Sequence, residues 1–303
     1  MKDRMNMEGL MVCPFTKKSL RLMTEKELIS LNTQIKHGDL FFYPGAPVNI
    51  EVKAALVTSH LTHIYPIIDN ISYLQRRTAI VSKNRTANHL KRVPQEEIDQ
   101  FYRDYGFGEG NAIEKPTKEL KSNPISQEKV TQLARLLPKG GEYFMSVVTH
   151  DVDSIHNLTY GRSFKYYFHM DFSLSRLMAI KDELPGETIL VLGDVDHLPF
   201  DNNSVDALFS FDYINNYDKE VQEMAYEELK RCLKADGVSI MLYDNSKPMH
   251  ASSQLKSDQR SKRALGVIAP WKKIKLPNIF FYPIHKEGDA PQSMGFFSQS
   301  IAW

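Results

Sequence analysis

From residue 126 onward the sequence predicts an α/β fold with a mostly parallel sheet and helices on both faces. Three observations carry this. Apolar runs of strand length alternate with amphipathic helical stretches between residues 127 and 243. The last two apolar runs, Ile279–Tyr282 and Gly295–Trp303, have no helix between them, which predicts an antiparallel hairpin at the sheet edge. Residues 1–82 are organised differently, with short strands around one helix, and predict a small α+β domain.

In that first segment Leu10–Cys13 is a short apolar run stopped by Pro14. Thr24 with Glu27 three residues on reads as the capping box of a helix. Asp39–Tyr43 and Ala54–Thr58 are strand-like, and Ile64–Leu74 reads as two strands about an Asp69-Asn70 turn. Residues 83–125 are polar and hold a helix near Pro94–Tyr102, followed by the Gly-containing stretch Tyr105–Asn111. These glycines follow no strand and precede no Gly-Lys-Ser/Thr, so the segment reads as a linker or lid.

The alternating region then gives a helix at 127–137, strands at 143–148 and 164–168, and a helix at 173–184 with Ser173 as candidate cap. A strand at 188–192, another at 207–211 and a helix at 219–233 follow. That helix carries a stripe of Val221, Met224, Ala225, Leu229 and Cys232. Ala235-Asp236-Gly237 stops it before a fifth strand at 238–243. The resulting domains are 1–82, a linker or lid at 83–125, and 126–303.

Composition narrows the functional classes. The 303 residues carry 38 Lys+Arg against 37 Asp+Glu, a net charge of +1, which argues against a general nucleic-acid binder. With 42% apolar and 25% charged residues, the chain has ordinary globular composition. Two cysteines, Cys13 and Cys232, build no disulfide framework and suit a reducing compartment. Met1–Asn6 is too charged for a signal peptide, and no run reaches the ~18 apolar residues of a membrane span. The expectation is a soluble cytoplasmic protein.

Three consecutive segments carry a family likeness. Gly193–Asp206 resembles the "GDAxxLPFxDxSFD" segment of class I S-adenosylmethionine-dependent methyltransferases. Leu208–Tyr217 is similar to that family's fourth strand and following loop, and Glu227–Gly237 resembles its "ExxRVLKPGG". The resemblance implies a Rossmann-like class I methyltransferase sandwich from about residue 126 to the end, with S-adenosylmethionine across the carboxyl ends of the central strands. It places Asp171 at the ribose hydroxyls and Asp194 at the adenine amino group, with Val195 and Leu198 flanking the adenine. Thr149 and Asp151 fall near the methionine end, and Phe211 also belongs to the implied cofactor set. Asp171 also has an ordinary reading as the cap of the helix near Ser173, and Asp194 one as a turn residue.

The first motif departs from the family. Its "VLDVGCGTG" corresponds to Phe144–Val152, where Ser146 replaces the acidic residue and Val148, His150 and Val152 stand at glycine positions. β-Branched residues tolerate positive φ poorly, so the usual cofactor pose requires a rebuilt loop. Two functions follow as expectations: a methyltransferase with a rebuilt loop, or a pseudo-methyltransferase kept as an interaction scaffold. The same stretch, Thr149–Asp153, resembles the first metal motif of carbohydrate deacetylases, but the His-x-x-x-His those enzymes need is absent.

Cys13–Leu20 looks like "CPxCKxxL" and Ile64–Ile71 is similar to "xYPIxDGIP". Together they resemble the zinc-ribbon-like domain of the tRNA methyltransferase activator family, which docks on a methyltransferase partner. Its zinc ligands would be Cys13, Thr16, Thr58 and Leu61, so only one survives and no metal is expected. The resemblance implies a protein partner, or packing of this segment on the C-terminal domain. A basic stretch with Lys256, Arg260, Lys262, Arg263, Lys272, Lys273 and Lys275 around Trp271 offers a weaker nucleic-acid signal. Asp212 and Tyr213 are candidate general bases, and no Gly-x-Ser-x-Gly nucleophile elbow occurs.

Overall fold

The structure is a computed structural model and describes residues 10–107, 127–149, 152–184, 188–211, 217–244 and 278–284. In chain order the first half is β1 (Leu20–Leu22), α1 (Glu25–His37), β2 (Leu40–Phe42), β3 (Ala55–Thr58), β4 (Ile64–Ile68), β5 (Ile71–Tyr73), β6 (Ile80–Ser82) and α2 (Gln95–Tyr105). The second half is α3 (Gln127–Ala134), β7 (Gly140–Val147), α4 (Val152–Thr159), β8 (Ser163–Asp171), α5 (Leu174–Ile180), β9 (Thr188–Leu192), β10 (Val205–Phe211), α6 (Lys219–Cys232), β11 (Leu233–Asp244) and β12 (Asn278–Ile284). The chain forms two compact units that do not follow its order: residues 1–120 with 168–201, and residues 121–167 with 202–303.

In the first unit the expected local signals do what their chemistry dictates. Thr24 Oγ1 accepts from the Glu27 amide, and Glu27 Oε2 accepts from the Thr24 amide at 2.8 Å, closing the capping box of α1. Arg21 grips the same carboxylate with two nitrogens at 2.9 and 2.7 Å, and these bonds hold Glu27 down at about 2. Gly38 ends the helix at φ 76, a conformation that costs glycine nothing. Asp69 and Asn70 lie at φ 50 and 66, the two left-handed residues of a tight hairpin turn between β4 and β5. Strands β1, β3, β4 and β5 pair in that order, each antiparallel to the next.

The next pairing changes direction. β5 lies parallel to β9, with Ile71 opposite Leu190, Ser72 opposite Val191 and Tyr73 opposite Leu192. The Leu74 amide extends it by donating to the Leu192 carbonyl at 2.7 Å. This ladder is why residues 168–201 group with the N-terminal segment. α2 packs on the same unit through aromatic side chains. Phe107, just past the helix, stacks on Phe42 at 4.4 Å between centroids and 7° between planes, with Phe101 at 5.1 Å from Phe42.

The second unit holds the alternating pattern. Strand β10 lies between β7 and β11, and β12 lies beyond β11, every pair parallel. The strand expected at 279–282 is β12; the second arm of the expected hairpin, 295–303, lies outside the described residues. Two local features differ from the sequence reading. Val152–Thr159 forms α4, with Val152, Ile155 and Leu158 buried at helical spacing, where no helix was predicted. On α6, Ala225, Leu229 and Cys232 are buried as expected, but Met224 turns outward. Gln222 takes an inward place because its amide donates to the Tyr217 carbonyl at 2.7 Å.

Asp206 fastens the start of this sheet. Its Oδ2 accepts from the amides of Glu142 and Tyr143 at 2.9 and 2.8 Å, and its Oδ1 accepts from Lys234 Nζ at 2.7 Å. Asp206→Ala leaves two β7 amides without this acceptor and should cost about 2 kcal/mol. Urea unfolding measures it; Asp206→Asn, which keeps one acceptor oxygen, should lose about half as much.

Candidate functional site

Each candidate residue is placed by the strand that precedes it. Gly193 follows β9 and closes onto β8: its amide donates to the Asp171 carbonyl at 2.9 Å. A Cβ on Gly193 would meet Met170 Sδ at 2.7 Å, so glycine permits this approach. Asp171 and Asp194, the two acidic candidates, are thereby brought to adjacent strand ends. Val195 and Leu198, the expected apolar flank, are both buried.

The loop after β9 is held along its length by the N-terminal segment. Asp194 Oδ2 accepts from the Arg76 amide at 3.1 Å, and the Arg76 guanidinium lies 3.7 Å from Asp196 Oδ2. Lys17 Nζ donates to the Leu198 carbonyl at 3.2 Å. The Val12 amide donates to the Pro199 carbonyl at 3.0 Å, Met11 bridges Phe200, and the Asp201 amide donates to the Leu10 carbonyl at 2.8 Å. Gln75 Nε2 donates to the Phe172 carbonyl at 2.9 Å, which ties in the loop after β8 as well. Leu10–Val12 and Lys17 fall in segments the sequence singled out for other reasons, and Gln75 and Arg76 in none, because each contact spans a long stretch of chain with no local pattern.

The two carboxylates differ. Asp194 is half-buried, and burial raises its carboxyl above the usual range while the Arg76 amide pulls it down. Its Oδ1 takes no hydrogen bond among the described residues. Asp171 is fully buried and engaged on both oxygens: Oδ1 accepts from the Ser173 amide at 2.8 Å, and Oδ2 lies 3.1 Å from Arg176. The Ser173 bond is a turn at the start of α5, close to the capping role open in the sequence; Ser173 itself makes no side-chain cap. Arg176 was legible in principle, since it lies one helical turn into α5 from Asp171.

Thr149 and Val148 follow β7 in the other unit. Thr149 is buried, and its hydroxyl donates to the Val147 carbonyl at 3.3 Å. Val148 is fully buried at φ 49, in the left-handed region. This is a glycine-type backbone conformation carrying a β-branched side chain, at one of the three positions where the resemblance implies glycine. Asp151 and His150 lie outside the described residues, as do Asp212, Tyr213 and the basic stretch 256–275. Phe211 ends β10 opposite Leu242, and its side chain lies outside the described part.

Of the positions that the activator-family resemblance would give to zinc ligands, Cys13 has its Sγ 3.2 Å from Tyr65 Oη, both buried, and burial raises the Tyr65 phenol strongly. Thr58 Oγ1 accepts from the Thr62 and His63 amides at 3.2 and 3.3 Å. Phe15 packs on His63 at 5.1 Å between ring centroids. Among the described residues no group of three or more His, Cys, Asp or Glu is placed to hold a metal ion. No described helix is long and apolar enough to cross a membrane.

Residues 153–241 match a family model described as a methyltransferase domain. A search of curated proteins finds no match. Among solved structures, one match is a complex between the Haloferax volcanii Trm112 methyltransferase activator and a protein assigned as a methyltransferase. It is 26% identical, covers 37% of this chain and 48% of the other, and has a TM-score of 0.32. Another is Haemonchus contortus phosphoethanolamine N-methyltransferase 2 in complex with S-adenosyl-L-methionine, 20% identical over 45% of this chain and 30% of the other, TM-score 0.31. The chain spans about half the length of the first of these and less of the second. The alternating order, the parallel strands and the matched domain define a Rossmann-like fold of the class I methyltransferase type.

Burial pushes the Asp171 carboxyl up from 3.8 to about 6, against the pull of Arg176 and of the Ser173 and Phe172 amides. Below pH 3.8 the group is protonated in both folded and unfolded chains; between there and pH 6 the folded chain holds the extra proton. Stability from this group therefore falls as pH rises through that window, by about 3 kcal/mol, and stays at its lower value above it. In urea unfolding from pH 4 to 7, wild type minus Asp171→Asn should decline across the window. A flat difference would mean that Asp171 titrates normally.

Proposed function

We infer that the protein is an S-adenosylmethionine-binding methyltransferase-type protein whose donor loop has been rebuilt around side chains. The supporting observation is Val148 at φ 49: the turn after β7 keeps the left-handed backbone that a glycine would supply. Asp194, with one oxygen tied and the other without a hydrogen bond among the described residues, suits an acceptor for the adenine amino group. Val195 and Leu198 supply apolar side chains next to it. Asp171 stands at the ribose position, and Arg176 must release part of it if hydroxyls are to bind there. Thr149, Asp151 and Phe211 complete the proposed cofactor set. When bound, S-adenosylmethionine supplies an electrophilic methyl group on a sulfonium sulfur.

One observation favours the second reading, a scaffold that keeps the fold without the donor. Asp171 is fully buried with both oxygens engaged, which is the arrangement of a structural carboxylate. On that reading a protein partner docks on the N-terminal segment, away from β5, whose edge is already taken by β9.

Titration calorimetry with S-adenosylmethionine and S-adenosylhomocysteine separates the two. The methyltransferase reading expects micromolar binding, weakened about tenfold or more in Asp194→Ala, since a buried donor loses its acceptor. Val148→Gly restores the small residue and should tighten binding at some loss of stability, because it removes a buried side chain. Absence of binding up to millimolar ligand in all three proteins would leave the scaffold.

A further inference from the structure

The parallel direction of β5 and β9 has a geometric result. Parallel strands leave a sheet at the same end, so the chain after Tyr73 emerges beside the chain after Leu192. Residues 74–76 thus meet residues 193–196, and an antiparallel pairing would have sent them to the opposite edge. Leu74 continues the ladder, Gln75 reaches the Phe172 carbonyl, and the Arg76 amide reaches Asp194 Oδ2.

We propose that Arg76 is a positioning residue for the nucleoside end of the site: its backbone amide pins Asp194 by Oδ2, so that Oδ1 alone is presented to the base. This rests on the cofactor reading above and adds the residue that gives Asp194 its orientation. A carboxylate is symmetric, and either oxygen accepts a hydrogen bond, so pinning is invisible in the wild type. It becomes visible in Asp194→Asn. There the amide oxygen must face the Arg76 N–H, and the NH2 must face the base. An acceptor becomes a donor, which repels an exocyclic amino group and suits a carbonyl. The other charges facing Asp194 are Asp196, His197 and the Arg76 guanidinium; the Arg76→Pro and Arg76→Ala double variants both lose that guanidinium and both carry Asp194→Asn, so the two differ in the backbone N–H. Arg76 also permits a clean backbone test. It is the first residue of the turn Arg76–Thr78, and Gln75 before it lies at φ −78, ψ 149, a conformation that a following proline accepts. Arg76→Pro removes the N–H, whereas Arg76→Ala removes only the guanidinium.

The experiment compares S-adenosylhomocysteine with S-inosylhomocysteine, in which the base carries a carbonyl in place of the amino group. Wild type should prefer the adenosyl compound by about tenfold or more, and Asp194→Asn should reverse the preference. The reversal should persist in Asp194→Asn with Arg76→Ala and disappear in Asp194→Asn with Arg76→Pro, where the amide is free to flip. An unchanged reversal in the proline double variant overturns the proposal. A urea-unfolding midpoint of Arg76→Pro close to that of wild type shows that the fold is kept. A ligand-free readout separates this proposal from the cofactor reading: hydrogen exchange at the Arg76 amide should be about tenfold or more slower in wild type than in Asp194→Ala. Equal exchange overturns the pinning contact, whereas binding of neither compound with a protected Arg76 amide overturns only its role toward a nucleoside.

Discussion

The first unit depends on one short ladder, the parallel pairing of Ile71–Tyr73 with Leu190–Leu192. Three residues and the added Leu74–Leu192 bond are little by count, but they close two exposed strand edges at once. On its other side β5 is already paired with β4 through the tight Asp69-Asn70 turn. The hairpin therefore arrives with its register set, and the parallel pairing fixes which end of β9 the N-terminal chain meets. All contacts between residues 10–76 and the loop 194–201 follow from that choice of end.

The two acidic candidates show how burial and partners divide similar chemistry. Asp171 is removed from water and compensated by Arg176 and by the Ser173 amide, yet its carboxyl stays raised to about 6 because desolvation outweighs both. Asp194 keeps part of its surface, spends one oxygen on a backbone amide and retains the other. A ligand reaching Asp194 needs no ion pair broken; one reaching Asp171 does. On the opposite motif, Val148 keeps a glycine-type turn while filling space with its own side chain.

What was legible in the sequence was local. The Thr24–Glu27 capping box, the Asp69-Asn70 turn and the alternating elements from residue 127 depend on neighbours within a few positions, and the structure contains them. Helix α4 rests on the Val152, Ile155, Leu158 spacing, which begins at the last residue of Phe144–Val152, the stretch that corresponds to the first motif of the family. The Met224–Gln222 exchange on α6 turned on one hydrogen bond to Tyr217 that hydropathy does not encode. Asp171 and Asp194 were candidates from the resemblance; Arg176 has a local signal in its place at the start of α5, but Arg76 has none, since its contact with Asp194 spans more than a hundred residues. The resemblance left open that the N-terminal segment packs on the C-terminal part, but not that β5 pairs with β9, because strand partners are set by packing across more than a hundred residues.

The β5–β9 ladder is tested most directly by hydrogen exchange on the intact protein, read at the Leu74 amide and along Leu190–Leu192. If the ladder is built into the fold, these amides exchange as slowly as those of the β3–β4 pair, through the same opening. Rapid exchange at Leu74, with Ala55–Ile68 still protected, would contradict the account. The N-terminal segment would then fold without β9, and the hold on Asp194 would lose its foundation.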